Sequence, residues 1–163
     1  MEKEKSTKFI ALTADESFWG KDKNILFIGN WCKRFSKKEL WGSLNSNTMP
    51  SWIKSTQHVL NTIDDVEKIY TKFLKSLSDG LNNFHGTNHS KRYWKILIGP
   101  WLLHHINIFF DRYMTIKKAA KTHPNFTTIG LDKNCYSYPI ETAHYISLSE
   151  TDQYNLQIFT DII

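Results

Sequence analysis

The sequence predicts a helix-rich α/β fold in which parallel strands are covered by amphipathic helices. Two short apolar runs, at residues 8–13 and 25–28, provide the first observation. Strands that are buried on both faces are apolar throughout, and such strands are typical of parallel sheets. The second observation is a pair of longer segments in which apolar residues recur every three or four positions, which is the spacing of an amphipathic helix. The length of 163 residues is sufficient for one domain with a core.

The segments around the two strands are polar and short. Residues 13–16 read Thr-Ala-Asp-Glu, a capping-box pattern that predicts a short helical turn after the first strand. Gly29 closes the second strand. A short helix is expected at residues 36–41, and residues 45–51 are predicted to form a loop because Asn, Ser, Thr and Pro dominate there.

Two long helices follow in the prediction. The first is expected from residue 63 to residue 83, because its apolar positions fall on one face. The second is expected to begin at Pro100, since proline is well tolerated in the first turn of a helix, and to continue to about Lys121. Pro124 should stop it. After a looser stretch, a further helix-like segment covers residues 153–163.

Composition and charge exclude several classes of protein. The net charge of +5 is spread along the chain, which does not predict a nucleic-acid binder, although a phosphorylated donor or an anionic membrane would be compatible with it. Cys32 and Cys135 are far apart and indicate a reduced cytoplasmic location. No signal peptide or membrane-spanning run is evident. His85 and His89 lack a third ligand, so neither a metal nor a cofactor is predicted.

The end of the chain suggests a longer protein. Residues 162 and 163 are an apolar Ile-Ile pair within the last helix-like segment. Domains rarely finish in this way, without a cap or a polar tail. We therefore expect residues 1–163 to be the N-terminal α/β domain of a longer chain.

The first candidate site is the polar side of the second long helix. His104 and Asp111 are seven residues apart, as are His105 and Arg112, so each pair falls on one stripe, and Trp101 precedes them. A histidine there can act as a general base near neutral pH, and an arginine can grip a phosphate or carboxylate. The alternative is that this side is solvated or makes structural hydrogen bonds.

The second candidate site follows the second strand. Gly29 could let a ligand approach the backbone, or it could simply serve the turn. Trp31 could stack on a ring, while Lys33 and Arg34 could attract phosphate. The alternative is a packed tryptophan beside a solvated basic turn.

Three stretches carry a resemblance to a known family. They read Phe-Ile-Ala-Leu-Thr-Ala at 9–14, Ile-Leu-Phe-Ile-Gly-Asn-Trp-Cys at 25–32, and Arg-Tyr-Trp-Lys-Ile-Leu-Ile-Gly-Pro-Trp-Leu-Leu-His at 92–104, which continues to Phe-Asp-Arg-Tyr at 110–113. Together they resemble the N-terminal region of a family of bacterial transferases of surface-carbohydrate and O-antigen biosynthesis. The C-terminal half of that family is similar to CDP-glycerol glycerophosphotransferases and to UDP-N-acetylglucosamine 2-epimerases.

The resemblance implies a two-domain, glycosyltransferase-B-like architecture, of which this chain would be the partial Rossmann-like N-terminal domain. A nucleotide-activated sugar or polyol donor would lie mainly against the absent C-terminal domain, and the present domain would handle a carbohydrate acceptor. No catalytic residue is carried over from the family; from the polar side of the second long helix we predict that His104 or His105 is the base or binds the acceptor and that Arg112 contacts phosphate. Such a domain would be inactive alone. It would be located in the cytoplasm, and peripheral contact with the inner face of the membrane is an open alternative. The alternative function is a non-catalytic module that binds carbohydrate or protein.

Overall fold

A parallel β-sheet lies in the core of the first of two compact units in the computed structural model, which describes residues 7–20 and 24–163. Within these residues the strands are β1 (Phe9–Ala11), β2 (Asn24–Phe27) and β3 (Asn45–Thr48), and both pairings are parallel. All of β1 and the last three residues of β2 are buried. The predicted α/β class with two buried parallel strands is confirmed.

β3 was expected to be part of a loop, and that expectation is wrong. Its residues Asn-Ser-Asn-Thr alternate between exposed and half-buried positions along the free edge of the sheet. Leu26 of β2 pairs with Asn47, and just beyond β3 the amide of Met49 donates a hydrogen bond to the carbonyl of Phe27 at 2.8 Å. An edge strand needs only backbone pairing, so its side chains need not be apolar and its sequence resembles that of a loop.

A further piece of extended chain lies on the other side of β1. Thr127 forms a parallel bridge with Phe9, and the amide of Ile10 donates to the carbonyl of Thr127 at 2.9 Å. The chain therefore adds β2 and β3 on one side of β1 and returns to its other side at Thr127. In open α/β sheets, ligands bind at the carboxyl ends of the strands, near the point where the strand order reverses.

Two helices, one short and one long, are present as the sequence predicts, but their observed boundaries differ from the predicted ones. α1 (Lys38–Gly42) confirms the short helix and follows a 3₁₀ turn. α2 (Thr56–His85) begins earlier than predicted, because the side chain of Ser55 caps it by accepting a hydrogen bond from the amide of His58. Its end at Gly86, with a φ of 63°, is a left-handed glycine cap close to the predicted end.

α3 (Lys91–Thr122) differs most from prediction at its start. Pro100 was expected in the first turn, yet it lies inside the helix. An interior proline removes one backbone hydrogen bond and strains the helix, but it does not have to end it. The side chain of Ser90 accepts a hydrogen bond from the amide of Tyr93 at 3.3 Å and marks the true start. The end at Thr122, shortly before Pro124, agrees with prediction.

Two short helices complete the chain. α4 (Thr142–Ser149) was not predicted, whereas α5 (Asp152–Ile162) matches the expected final segment. The predicted capping box at residues 13–16 is replaced by a simpler cap, in which the side chain of Asp15 accepts from the amide of Ser17. The 3₁₀ turn Glu16–Phe18 follows it, which confirms the predicted short helical turn.

The two units have separate hydrophobic cores. The first unit, Met1–Trp52 and Arg112–Ile163, packs the sheet with residues of α3 and α5 such as Ile116 and Phe159. The second unit, Ile53–Asp111, has a small core between α2 and α3, formed by Val66, Leu74, Leu102 and Ile106. The expected single domain over residues 1–163 stays a prediction. No helix in residues 7–20 or 24–163 combines the length and apolar character needed to cross a bilayer.

Candidate functional site

A polar cavity of about 380 Å³ lies in the first unit, where β1 and β2 end. The segments after β1 and β2 contribute four residues, α3 contributes one arginine, and α4, α5 and their junction contribute the other four. This is the edge of the sheet at which α/β proteins bind ligands. The lining residues are Leu12, Thr13, Trp31, Arg34, Arg112, Ser149, Glu150, Asp152 and Asn155.

Gly29 allows the loop after β2 to fold tightly at the cavity. Gly29 is buried, and its backbone is extended. A Cβ atom built on it would lie 2.2 Å from the nearest ring carbon of Trp31. Only glycine leaves room for the indole at that distance. The open face of Gly29 is thus occupied by Trp31, whereas the sequence left open whether a ligand would approach there.

Trp31 and Arg112 meet at the cavity, although the sequence placed them in separate candidate sites. The guanidinium carbon of Arg112 lies 5.4 Å from the centroid of the Trp31 ring and 5.6 Å from that of Phe159. These are cation–π distances. The Trp31 side chain is still 44% exposed, so the indole can offer part of its surface to a ligand.

Asn155 holds Arg112 in place. Its side-chain oxygen accepts from Nε of Arg112 at 3.1 Å and from Nη2 at 2.8 Å. Its amide nitrogen donates to the carbonyls of Ser149 and Thr151, both at 2.8 Å. Because these carbonyls can only accept, they fix the orientation of the amide and direct its oxygen towards the arginine. One asparagine therefore connects α3 with the junction of α4 and α5.

Arg34 forms the other charged pair of the cavity. Its Nη2 lies 2.8 Å from Oδ2 of Asp152, at the start of α5, and both side chains are partly exposed. The indole nitrogen of Trp41 donates to the backbone carbonyl of Arg34 at 2.8 Å, which fixes the loop. With Glu150, the cavity carries two arginines and two carboxylates, so its formal charge is balanced.

The neighbours of Arg34 and Trp31 in sequence have structural roles. Lys33 places its ammonium group 5.1 Å from the Phe27 ring and 5.6 Å from the Trp41 ring, so it packs on aromatic faces. Burial raises the pKa of the Cys32 thiol to about 12, and the thiol donates weakly to the carbonyl of Ala11 at 3.7 Å. A thiol that stays protonated at neutral pH is a poor nucleophile.

The remaining predicted site residues belong to the second unit. His105 stacks on Trp101 with ring centroids 5.3 Å apart and lies 4.5 Å from Phe109. Burial, and secondly the charge of His104, lower the pKa of His105, which keeps its imidazole neutral at neutral pH. His104 is exposed, and Asp111 is half-buried. Trp101, His104, His105 and Asp111 thus lie in a different unit from Gly29, Trp31, Arg34 and Arg112.

The histidines at the α2–α3 turn take part in an aromatic cluster. His85 stacks on Trp94 with centroids 6.2 Å apart, and His89 stacks on Tyr93 at 4.0 Å. Asn82 accepts from the Trp94 indole and from the amide of His89, both at 3.0 Å. In the part of the chain that the structure describes, no group of three or more His, Cys, Asp or Glu side chains is placed to hold a metal ion.

Sequence reasoning missed the residues that α4, α5 and their junction contribute, namely Ser149, Glu150, Asp152 and Asn155. A signal for them exists, because Ser-Glu-Thr-Asp at residues 149–152 is a polar break between two apolar runs, and threonine is a preferred helix cap. The side chain of Thr151 does cap α5, by accepting from the amide of Tyr154 at 3.2 Å. That break predicts a helix–helix junction but not its position beside β1 and β2.

A three-stranded parallel sheet packed with helices defines an α/β domain, and the cavity lies at the carboxyl ends of its strands. The chain belongs to the LIC12162 family of transferases, because the family model described as LIC12162 family transferase matches residues 8–163. No curated protein and no solved structure matches the chain. The predicted transferase class is confirmed at this level.

Proposed function

We propose that the cavity of the first unit binds the acceptor of a transferase that moves a sugar or polyol-phosphate unit from a nucleotide-activated donor. The biological setting we propose is bacterial surface polysaccharide biosynthesis, in a longer protein with glycosyltransferase-B-like architecture. Membership of a transferase family supports the class of reaction. The observation that carries the proposal is the exposed Trp31 ring beside Arg112, Arg34 and Asp152 in one cavity.

The chemistry of this cavity favours a hydroxyl-rich ligand. The apolar face of a sugar ring stacks well on an indole, and arginine, carboxylate and amide groups hydrogen-bond to its hydroxyls. A volume of about 380 Å³ is within the range of small-molecule sites. The charges of Arg34 and Arg112 are balanced by those of Asp152 and Glu150, so the cavity offers no net positive charge to a nucleoside diphosphate. The acceptor therefore suits the cavity better than the donor.

The reaction needs a base and a cation. The base removes the proton from an acceptor hydroxyl, whose oxygen attacks the donor, and the nucleotide leaves with the electron pair of the broken bond. That His104 or His105 is the base stays a prediction: the lowered pKa of His105 leaves the neutral form that a base requires, and both histidines belong to the second unit, whereas the cavity belongs to the first. The proposed role of Arg112 is to stabilise negative charge on phosphate.

Binding measured by tryptophan fluorescence tests the proposal. The probes are glucose, N-acetylglucosamine and glycerol as acceptor mimics, and UDP-glucose and CDP-glycerol as donors. We expect at least one acceptor mimic to bind saturably, and we expect Trp31→Ala to weaken this binding about tenfold, the loss expected from one stacking contact. Phe35→Ala is the matched control, since Phe35 is an exposed aromatic residue of the same loop that does not line the cavity.

Two outcomes would count against the acceptor assignment. One is binding of the donors alone, with none of the acceptor mimics bound. The other is acceptor binding that Trp31→Ala leaves unchanged.

A carbohydrate-binding module without catalysis is the second candidate, favoured by the half-exposed Trp31 ring. The two functions differ in turnover. A transferase releases nucleoside diphosphate or monophosphate from the donor when the acceptor is added, whereas a binding module saturates with sugar and releases none. The assay uses the full-length protein, with His105→Ala and Arg112→Ala as variants expected to lose turnover.

A further inference from the structure

The outer face of α3 in the second unit carries a stripe of exposed apolar side chains. Ile96 is 72% exposed and Leu97 is 59% exposed, and Tyr93, Pro100 and Leu103 are exposed along the same stripe. The spacing of three and four residues places all five on one helical face, over a length of about 15 Å. Side chains of this kind are normally covered when they form a continuous patch.

The opposite face of the same segment is already packed. Trp94, Leu102 and Ile106 are buried, and the last two belong to the core shared with α2. α3 is therefore apolar on both faces over this part of its length. A helix with that character lies against another apolar surface on its outer side.

The charged side chains that α3 itself carries beside the stripe are all cations, whereas Asp64 and Glu67 of α2 share a surface pocket with Lys91. Lys91, Arg92 and Lys95 are exposed in the same turns of α3. No aspartate or glutamate occurs from residue 80 to residue 110. Phe84, at the end of α2, is 83% exposed and adds an aromatic side chain close to these cations in the chain. Apolar and aromatic side chains together with Lys and Arg are the features of helices that lie in the membrane interface.

Charge selects among the possible occupants of this surface. A second copy of the chain would bring the same three cations against each other, which opposes association. Residues 1–6 read Met-Glu-Lys-Glu-Lys-Ser and offer no apolar run to cover the stripe. An anionic lipid surface attracts the cations and accepts the apolar side chains.

We propose that the α3 stripe, defined as Tyr93, Ile96, Leu97, Pro100 and Leu103, docks on an anionic lipid membrane with the helix lying along the headgroup interface. Ile96 and Leu97 enter the boundary between headgroups and acyl chains. Lys91, Arg92 and Lys95 reach the lipid phosphates, since long cationic side chains extend to that level. The α3 stripe belongs to the second unit, and the cavity belongs to the first.

Co-sedimentation with vesicles tests the proposal. Vesicles of phosphatidylcholine with one third phosphatidylglycerol are compared with vesicles of pure phosphatidylcholine. We expect the protein to bind the anionic vesicles at least tenfold more strongly, and to release them when the salt concentration is raised. Ile96→Asp and Arg92→Glu should each reduce binding at least fivefold. Both positions are exposed, so circular dichroism should show an unchanged fold.

Matched controls distinguish binding through the α3 stripe from non-specific binding of vesicles by exposed apolar side chains. Phe35→Asp and Ile140→Asp remove exposed apolar side chains of the first unit and should leave vesicle binding at the wild-type level. Equal binding of wild type and Ile96→Asp overturns the proposal, and so does equal binding to neutral and anionic vesicles. A dimer that Ile96→Asp dissociates, without any vesicle binding, assigns the stripe to a second copy instead and also overturns it.

Discussion

Gly29 is the residue on which the position of Trp31 depends. Substitution by alanine places a Cβ atom 2.2 Å from the indole, so the ring has to move out of the cavity wall. We expect Gly29→Ala to lower the free energy of unfolding by about 1–3 kcal/mol, the usual cost of overpacking. Urea unfolding measures this loss.

Gly80 provides the matched control for this substitution. It lies within α2, and a Cβ atom there would meet nothing within 4 Å. Gly80→Ala should therefore stabilise the protein by about 0.5–1 kcal/mol, because alanine favours a helix over glycine. If both variants gain stability, the close packing of Trp31 on Gly29 is wrong.

His105 should make stability depend on pH below neutrality. Burial lowers its pKa in the folded state below the value of 6.5 that it has when unfolded. The unfolded chain thus binds a proton first as the pH falls, and the free energy of unfolding decreases between pH 6.5 and the lower folded pKa. His105→Phe should remove this part of the decrease, as measured by urea unfolding at pH 7.5 and 5.5.

His104 is the control for that pH dependence. It is exposed, and it is only the second cause of the lowered His105 pKa, after burial. His104→Gln should therefore keep most of the wild-type difference between the two pH values. If the His105→Phe protein loses as much stability between pH 7.5 and 5.5 as the wild type does, another group is responsible for the pH dependence.

Among the individual residues of the cavity, the sequence predicted the two arginines but not the residues that hold them. Arg34 and Arg112 are recognisable because arginine beside an aromatic residue suits phosphate or sugar ligands. Their partners are Asp152 and Asn155, and Asn155 is 43 residues from Arg112 along the chain. Such pairs arise only from packing of α5 beside the sheet, and no local spacing in the sequence encodes them.

Asn155 shows how one residue connects three helices. We expect Asn155→Ala to lower the free energy of unfolding by about 1.5–3 kcal/mol, because hydrogen bonds to a charged group are among the stronger ones. Asn61→Ala is the control, since Asn61 lies on α2 and makes an exposed hydrogen bond with Gln57. Thermal unfolding should show a clear loss for the first variant and almost none for the second.

Pro100 interrupts the hydrogen bonding of α3 without ending the helix. Its side chain is exposed, so removing it leaves no cavity. We expect Pro100→Ala to raise the free energy of unfolding by about 1–3 kcal/mol, since alanine restores the missing N–H and relieves the ring clash. Denaturant unfolding followed by circular dichroism measures the gain. A loss of stability would mean that the proline has a packing role in the native state.

The sequence misjudged β3 and the start of α3 because each breaks a different pattern rule. Pattern rules assume that an apolar face marks the buried side and that proline marks an end. β3 breaks the first rule because backbone pairing alone holds Asn45–Thr48 at the sheet edge. α3 breaks the second, because its length and its packing on α2 outweigh the cost of one proline. Elements whose apolar pattern matches their burial, such as β1, were predicted correctly.

For the whole molecule, the distribution of charge says more than the net value. The sum of +5 is modest, yet the cavity balances two arginines against two carboxylates while residues 80–110 carry cations alone. A balanced cavity suits a neutral, hydroxylated ligand, and an apolar surface flanked by the cations of α3 suits anionic lipid.

These two surfaces should be separable by mutation, which is the prediction for the molecule as a whole. Trp31→Ala removes the stacking platform of the cavity and should weaken saccharide binding while vesicle binding stays at the wild-type level. Ile96→Asp should do the reverse, because Ile96 belongs to the second unit and does not line the cavity. Fluorescence titration and vesicle sedimentation on the same preparations measure both. If either variant loses both activities while its circular dichroism is unchanged, a single surface serves both ligands and the assignment of two independent sites is wrong.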